Sequence, residues 1–289
     1  MKKYDLLDFI CCHQLKSGAF KSTVHFPNGD FYEDANAFVT ALVLRHARSL
    51  SLPKVLPNVF AQAVRFLRTC ESKRFPGMYC FWPEKSHPAW IGSFRLYEDA
   101  DDSSIISLEL VRYGIENRIY LEKLALNVLE QHRFFNSRIA SDDWRKQGVF
   151  LTWLHYKEEP NPVDCCVNTN IIALLAYCGL KNMAGYNEAC EMVNNAICNT
   201  NGITSALAAL SPYYPHAIEL FFAVRHAVSV GGDLKPALDY LNNQHWLQTD
   251  LNAGIAEDLP ICAHQEGTIF WTSKLLQTIR TYELTEEIK

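Results

Sequence analysis

The sequence has no Gly-rich phosphate loop, no Gly-x-Ser-x-Gly elbow and no Cys-x-x-Cys pair, so it carries no signal for a P-loop nucleotide site, a hydrolase nucleophile or a dithiol redox centre. It has no long run of either charge, and 27 basic against 32 acidic residues leave a net charge of −5. A basic face that tracks phosphates is not expected, nor is nucleic acid as a main partner. The longest uncharged run near the centre, 165–180, contains Asn168, Thr169 and Asn170 and falls short of the ~18 apolar residues of a spanning helix, so no transmembrane segment is expected. The N-terminal apolar stretch is cut by Asp5 and Asp8, which makes it too short and polar for a secretory signal. What is present is 48% hydrophobic residues over 289 positions, enough for a large core without disulfide staples. The ten cysteines, with adjacent pairs at Cys11/Cys12 and Cys165/Cys166, read as mostly reduced, and a soluble cytoplasmic protein is expected.

Apolar residues recur at spacings of three and four from Phe38 to Arg45, from Val59 to Leu67, from Ile105 to Tyr113 and from Ile119 to Leu129. The second half predicts helices near 168–177, 187–198, 215–230, 235–241 and 268–282, and no stretch alternates as a strand would. Phe38, Leu42, Ile106, Leu110, Ile172, Leu175, Phe222 and Val224 are the expected core. Tyr32-Glu33-Asp34-Ala35 recurs 65 residues later as Tyr97-Glu98-Asp99-Ala100, and Asp164 lies a further 65 on, each before an apolar helix. Asp34, Asp99 and Asp164 are thus expected at equivalent helix starts, where carboxylates cap free N–H groups. Helix pairs without a low-complexity linker suggest one all-α domain over residues 1–289, an α/α toroid whose helix N-termini and long loops share a rim.

The chemistry-bearing cluster is Asp99-Ala100-Asp101-Asp102. Three carboxyls within four residues repel one another, so at least one holds its proton more tightly than a free aspartate does; the alternative is an acidic loop with capping residues. The cluster resembles the Asp-x-Asp-Asp motif of class II terpene cyclases, the squalene-hopene cyclase group. That resemblance assigns Asp101 as the general acid that protonates an alkene or epoxide, with Asp99 and Asp102 as its electrostatic neighbours. Gln14-Leu15-Lys16-Ser17-Gly18-Ala19-Phe20 is similar to the Gln-x-x-x-Gly-x-Trp repeat of the same superfamily, with Phe for Trp as in protein prenyltransferase β subunits, and Phe75-Pro76-Gly77-Met78-Tyr79 is a more degraded copy. The resemblance implies a single barrel of concentric helices, acid-initiated cyclisation or isomerisation of an isoprenoid, and a hydrophobic small-molecule substrate.

The chain departs from the cyclases in having length for one barrel where they use two, so a second barrel domain or a homo-oligomer is a further expectation. Trp82, Trp90, Tyr97, Trp153, Tyr213, Tyr214 and Trp271 are candidate substrate-binding residues, because ring faces stabilise a cation at ~6 Å. The acid step requires no cofactor, and Mg2+ would enter with a diphosphate substrate. An alternative is a zinc-dependent prenyltransferase-like enzyme: Asp164, Cys166 and His216 resemble the Asp-x-Cys pair and distant His that hold Zn2+ in prenyltransferase β subunits. A non-catalytic toroid that binds a lipid or a protein, and a carbohydrate-active barrel with paired carboxylates, are the other readings.

Overall fold

The structure is a computed structural model and describes residues 3–91, 97–135, 143–154, 161–253, 255–256, 258–264 and 267–287. The helices are α1 (Lys3–Cys12), α2 (Ala37–Ser49), α3 (Pro57–Thr69), α4 (Ala100–Arg112), α5 (Arg118–Asn127), α6 (Cys165–Cys178), α7 (Tyr186–Cys198), α8 (Thr204–Ala209), α9 (Ala217–Ser229), α10 (Lys235–Asn242), α11 (His245–Ala253) and α12 (Lys274–Glu287). The strands are β1 (Ser22–His25), β2 (Phe31–Asp34), β3 (Cys262–Ala263) and β4 (Phe270–Thr272).

Two kinds of helix follow from two apolar patterns. On α2 every residue from Ala37 to Ala47 is buried, and on α4 every residue from Ala100 to Leu110. On α3 only Phe60, Ala63, Val64, Phe66 and Leu67 are, the stripe of a helix with one wet face. The all-round-buried helices adjoin in succession, α2 on α4, α4 on α6 and α6 on α9, and α12, exposed at Lys274, Thr285 and Glu286, packs on α2. The bidentate pair of Arg280 on α12 with Glu219 on α9, at 2.6 and 2.8 Å, joins the two ends of this series. Outside it, α3 packs on α2, α5 on α4 and α6, α7 on α6, and α10 on α7 and α9. All eight residues expected in the core are buried.

The all-α expectation needs correction, because a four-stranded antiparallel sheet of order β2-β1-β4-β3 accompanies the helices. Its strands span two to four residues, too short to show alternation, and β1 finds β4 across most of the chain, pairing Val24 with Trp271. The helix expected over 268–282 is instead strand β4 followed by α12, which Ser273 caps through the Leu276 N–H. Short helices α1, α8 and α11 lie outside the stretches that periodicity marked.

The internal repeat exists in a different register from the tetrapeptides. The N-caps are Asn36, Asp99 and Asp164, whose side chains accept from Val39 N, Asp102 N and Val167 N. Asp34 is the last residue of β2 and caps nothing. Four residues after each cap stand Thr40, Ser103 and Asn168. Each accepts the backbone N–H of a fully buried aromatic residue, respectively Phe20 at 3.2 Å, Tyr79 at 2.9 Å and Phe150 at 2.9 Å. These aromatics end three Gly-x-aromatic turns, Gly18-Ala19-Phe20, Gly77-Met78-Tyr79 and Gly148-Val149-Phe150, each with its glycine at positive φ. Gln14 ties the first turn to α3 by donating to Gly18 O and Val59 O. In the second, Glu71 substitutes for that glutamine and accepts from Gly77 N.

Candidate functional site

The acids of α4 arise from ordinary helix-start chemistry placed where water is scarce. Asp99 is the cap, Asp101 and Asp102 fill the first turn, and Ala100 N donates to Thr152 O in the loop that covers them. An exposed acidic turn is excluded, since Asp99, Asp101 and Asp102 expose only 8, 8 and 2% of their surface. Burial, followed by the charge of Asp101, pushes Asp99 up to about 8. Burial, then the charges of Asp99 and Asp101, raise Asp102 well above the carboxylate range, and neither of its carboxyl oxygens has a hydrogen-bond partner.

Asp101 differs from both neighbours. Its Oδ1 accepts from Asn170 Nδ2 of α6 at 2.8 Å, and its Oδ2 accepts from the Tyr214 hydroxyl just before α9. Burial raises it, while Tyr214, Asn170 and the charge of Arg45 pull it back. Asp101 was expected to be held protonated by the charges of Asp99 and Asp102. The structure differs: burial is what raises Asp101, with neither neighbour among the causes, whereas the charge of Asp101 adds to burial in raising Asp99, and the charges of Asp99 and Asp101 add to burial in raising Asp102. Asp101 also occupies the second position of its helix, where α2 carries Phe38 and α6 carries Cys166.

The expected aromatic residues fall into three groups. Tyr214 binds Asp101 and packs edge-on to Phe38 at 5.7 Å, and Phe38 lies 6.3 Å from Phe81. Trp82, Trp90 and Trp271 form one cluster with centroids 5.6 to 6.5 Å apart, joined to Phe81 at 4.6 Å through Trp82 and 5.2 Å through Trp271. The indole N–H groups of Trp82 and Trp271 both donate to Asp34, at 2.9 Å each, so that buried carboxyl binds the cluster to the sheet. Trp153 and Tyr213 pair with each other, Nε1 to hydroxyl at 3.0 Å, beside the backbone of Asp99. Tyr97 is 51% exposed. Phe94 lies outside the described residues.

The zinc set is not assembled. Asp164 caps α6, and His216 Nδ1 accepts from Ile218 N at the start of α9. Cys166 is buried, and burial with the charge of Asp164 raises its thiol well above the usual range. Among the described residues no three His, Cys, Asp or Glu side chains converge into a group that could hold a metal. Asp164 itself is fully buried with Oδ2 unpartnered, and burial pushes it up to about 7 against the pull of the Val167 N–H.

Sequence reasoning missed the partners of Asp101. Arg45 NH1 donates to Asn170 Oδ1 at 3.0 Å, which makes a chain from α2 through α6 to α4. Deeper along the same helices lies a buried charged network. Glu109 accepts from Arg112 at 2.9 Å, and Arg112 donates to His226 Nε2 at 2.7 Å. Arg280 Nε donates to His46 Nε2, so His46 carries its proton on Nδ1 and donates to Glu283 at 2.7 Å. The signal was present in the sequence: Arg45 continues the inward stripe of Phe38 and Leu42, and Asn170 interrupts the most apolar helix, positions where a polar side chain needs a buried partner.

No family model matches the sequence, and no curated protein matches it. Among solved structures, the chain is similar to the type II terpene cyclase MstE from Scytonema in complex with its substrate geranylgeranyl dihydroxybenzoate. The identity is 14% and the TM-score 0.47, over 98% of this chain and 94% of that one, a distant likeness of fold. No helix among the described residues is long and apolar enough to cross a membrane.

Proposed function

We propose that this chain is an acid-initiated isoprenoid cyclase or isomerase, built as an α/α toroid with α2, α4, α6, α9 and α12 as its inner ring, in which Asp101 is the general acid. One observation carries the reading. Of the three equivalent positions second in their helices, Phe38, Asp101 and Cys166, one bears a carboxyl, and that carboxyl is buried at the end of a continuous file of rings through Tyr214, Phe38, Phe81 and Trp271.

The chemistry demands such a setting. An alkene is a very weak base, so its acid must be desolvated and its conjugate base must be stabilised as it forms. In the proposed step the O–H bond of Asp101 breaks with its electron pair staying on oxygen, and the alkene π pair forms the new C–H bond. A carbocation is left on the adjacent carbon. Asn170 and Tyr214 then donate to the new carboxylate, while ring faces within ~6 Å stabilise the cation. The protonation itself uses no metal; Mg2+ would enter only with a diphosphate substrate.

Product analysis after incubation with isoprenoid alcohols, diphosphates and epoxides tests the reading. Asp101→Asn keeps the size and most hydrogen bonds but removes the transferable proton, so it is expected to abolish turnover with the melting temperature changed by only a few degrees. Asp99→Asn is expected to slow the reaction less. Full turnover by Asp101→Asn, or no turnover of any of these substrates by the wild type, overturns it.

A further inference from the structure

We propose that Arg45 is a positioning residue for the acid: by occupying the amide oxygen of Asn170 it turns the Asn170 amide N–H toward Asp101 Oδ1, and so leaves Oδ2 as the oxygen that carries the transferable proton. This inference rests on the reading of Asp101 as general acid.

The argument is one of donors and acceptors. An asparagine amide is nearly symmetric in shape, so its two ends are told apart only by what faces them. A guanidinium has five N–H donors and no acceptor, so the Asn170 atom 3.0 Å from Arg45 NH1 must be the oxygen. The Asn170 nitrogen then faces Asp101 Oδ1 at 2.8 Å. It is a donor there, and a proton placed on Oδ1 along that line would meet the amide hydrogen. Oδ2 faces the Tyr214 hydroxyl, which can accept from a protonated carboxyl and donate to an ionised one. The proton is thus assigned to Oδ2 before transfer, and both oxygens have a donor ready once it has left.

Arg45 is placed for this role more than for ion pairing. It exposes 5% of its surface, lies 3.9 Å from Glu109 through Nε, and has no hydrogen-bond partner at Nε or NH2. The bond to Asn170 is therefore its principal hydrogen bond. The titratable groups that interact with Asp101 are Arg45 on α2, Asp99 and Asp102 on α4, Asp164 and Cys166 at the start of α6, Tyr214, and Cys262 on β3.

The test is a carboxyl-carbon NMR titration of the full chain without substrate, with the Asp101 signal assigned by its absence in Asp101→Asn. Arg45→Met is expected to raise the Asp101 midpoint by at least one unit, a tenfold gain in proton affinity, and to displace the Asn170 side-chain amide resonances. Asn170→Ala is expected to raise it comparably. In the double variant, the added effect of Arg45→Met is expected to fall to less than half its size in the wild type, because the route through the amide is already gone. An unchanged midpoint in folded Arg45→Met overturns the proposal, as does an undiminished effect in the Asn170→Ala background, which would mean that Arg45 acts by charge alone. Should Arg45→Met not fold, Asn170→Ala and Asn170→Leu decide, since the proposal requires both to raise the midpoint tenfold and a flat result in either overturns it. Because the titration needs no turnover, its failure and the failure of the cyclase reading are separate results.

Discussion

The replacement Asp164→Asn isolates the cost of placing a carboxyl at a fully buried helix start. In the folded protein Asp164 keeps its proton up to about 7, whereas the ordinary value is 3.8. Between those two pH values the native state binds more protons than the unfolded chain, so stability falls as pH rises from about 4 through 7 and levels off above. A gap from 3.8 to about 7 corresponds to roughly 4 kcal/mol lost at high pH, at about 1.4 kcal/mol per unit. Asparagine caps a helix as well as aspartate does and carries no charge at any pH, so it keeps the bond to Val167 N and removes the penalty. The variant should exceed the wild type by only about 1 kcal/mol at pH 4.5 and by roughly 4 kcal/mol at pH 9, on the order of 10 °C in melting temperature for a chain of this size. Calorimetric melting of both proteins from pH 4.5 to 9 is the assay, with the difference between them cancelling the other titrating groups. A difference independent of pH, or one that grows toward acid, would refute the claim that burial holds this carboxyl neutral.

Two further expectations concern folding. Gly18 has φ +94°, and a Cβ there would lie 2.4 Å from Gln62 O of α3, so Gly18→Ala should cost about 2 kcal/mol or more in urea unfolding; Gly77→Ala, at φ +87° with open space around it, should cost only the ~1 kcal/mol of the backbone conformation. Equal losses at both would show that contact with α3 plays no part. Arg280→Met should destabilise by ~3–5 kcal/mol because it strands the buried Glu219, and the double replacement Arg280→Met/Glu219→Leu should recover most of that loss in the same assay.

Part of this architecture is legible residue by residue. Asn117 before α5 and the Gly179 stop after α6 follow from capping rules, and the stripes on α3 and α10 follow from period. The repeated Tyr-Glu-Asp-Ala pointed to a true repeat but to a wrong equivalence, because Asp34 ends a strand held by Trp82 and Trp271 while Asn36 does the capping. The Gly-x-aromatic turns at 18–20, 77–79 and 148–150 were open to notice as a pattern. Their meaning lay in the bonds to Thr40, Ser103 and Asn168, made between residues up to 24 positions apart.

Local chain chemistry was enough to place most of the longer helices and to show that three acids stand together at the start of one, since capping and amphipathic spacing act within four residues of the chain. The tertiary structure decided everything that depends on distance and dielectric. The two local strand pairs become one sheet because β1 meets β4, and Asp101 acquires its partners from residues 69 and 113 positions away. How far each of the three acids is raised is likewise a property of the folded protein. Adjacent carboxyls in a peptide differ little; once buried, Asp101 alone receives donors from α6 and the residue before α9, while burial and the charges of Asp99 and Asp101 raise Asp102 well above the carboxylate range.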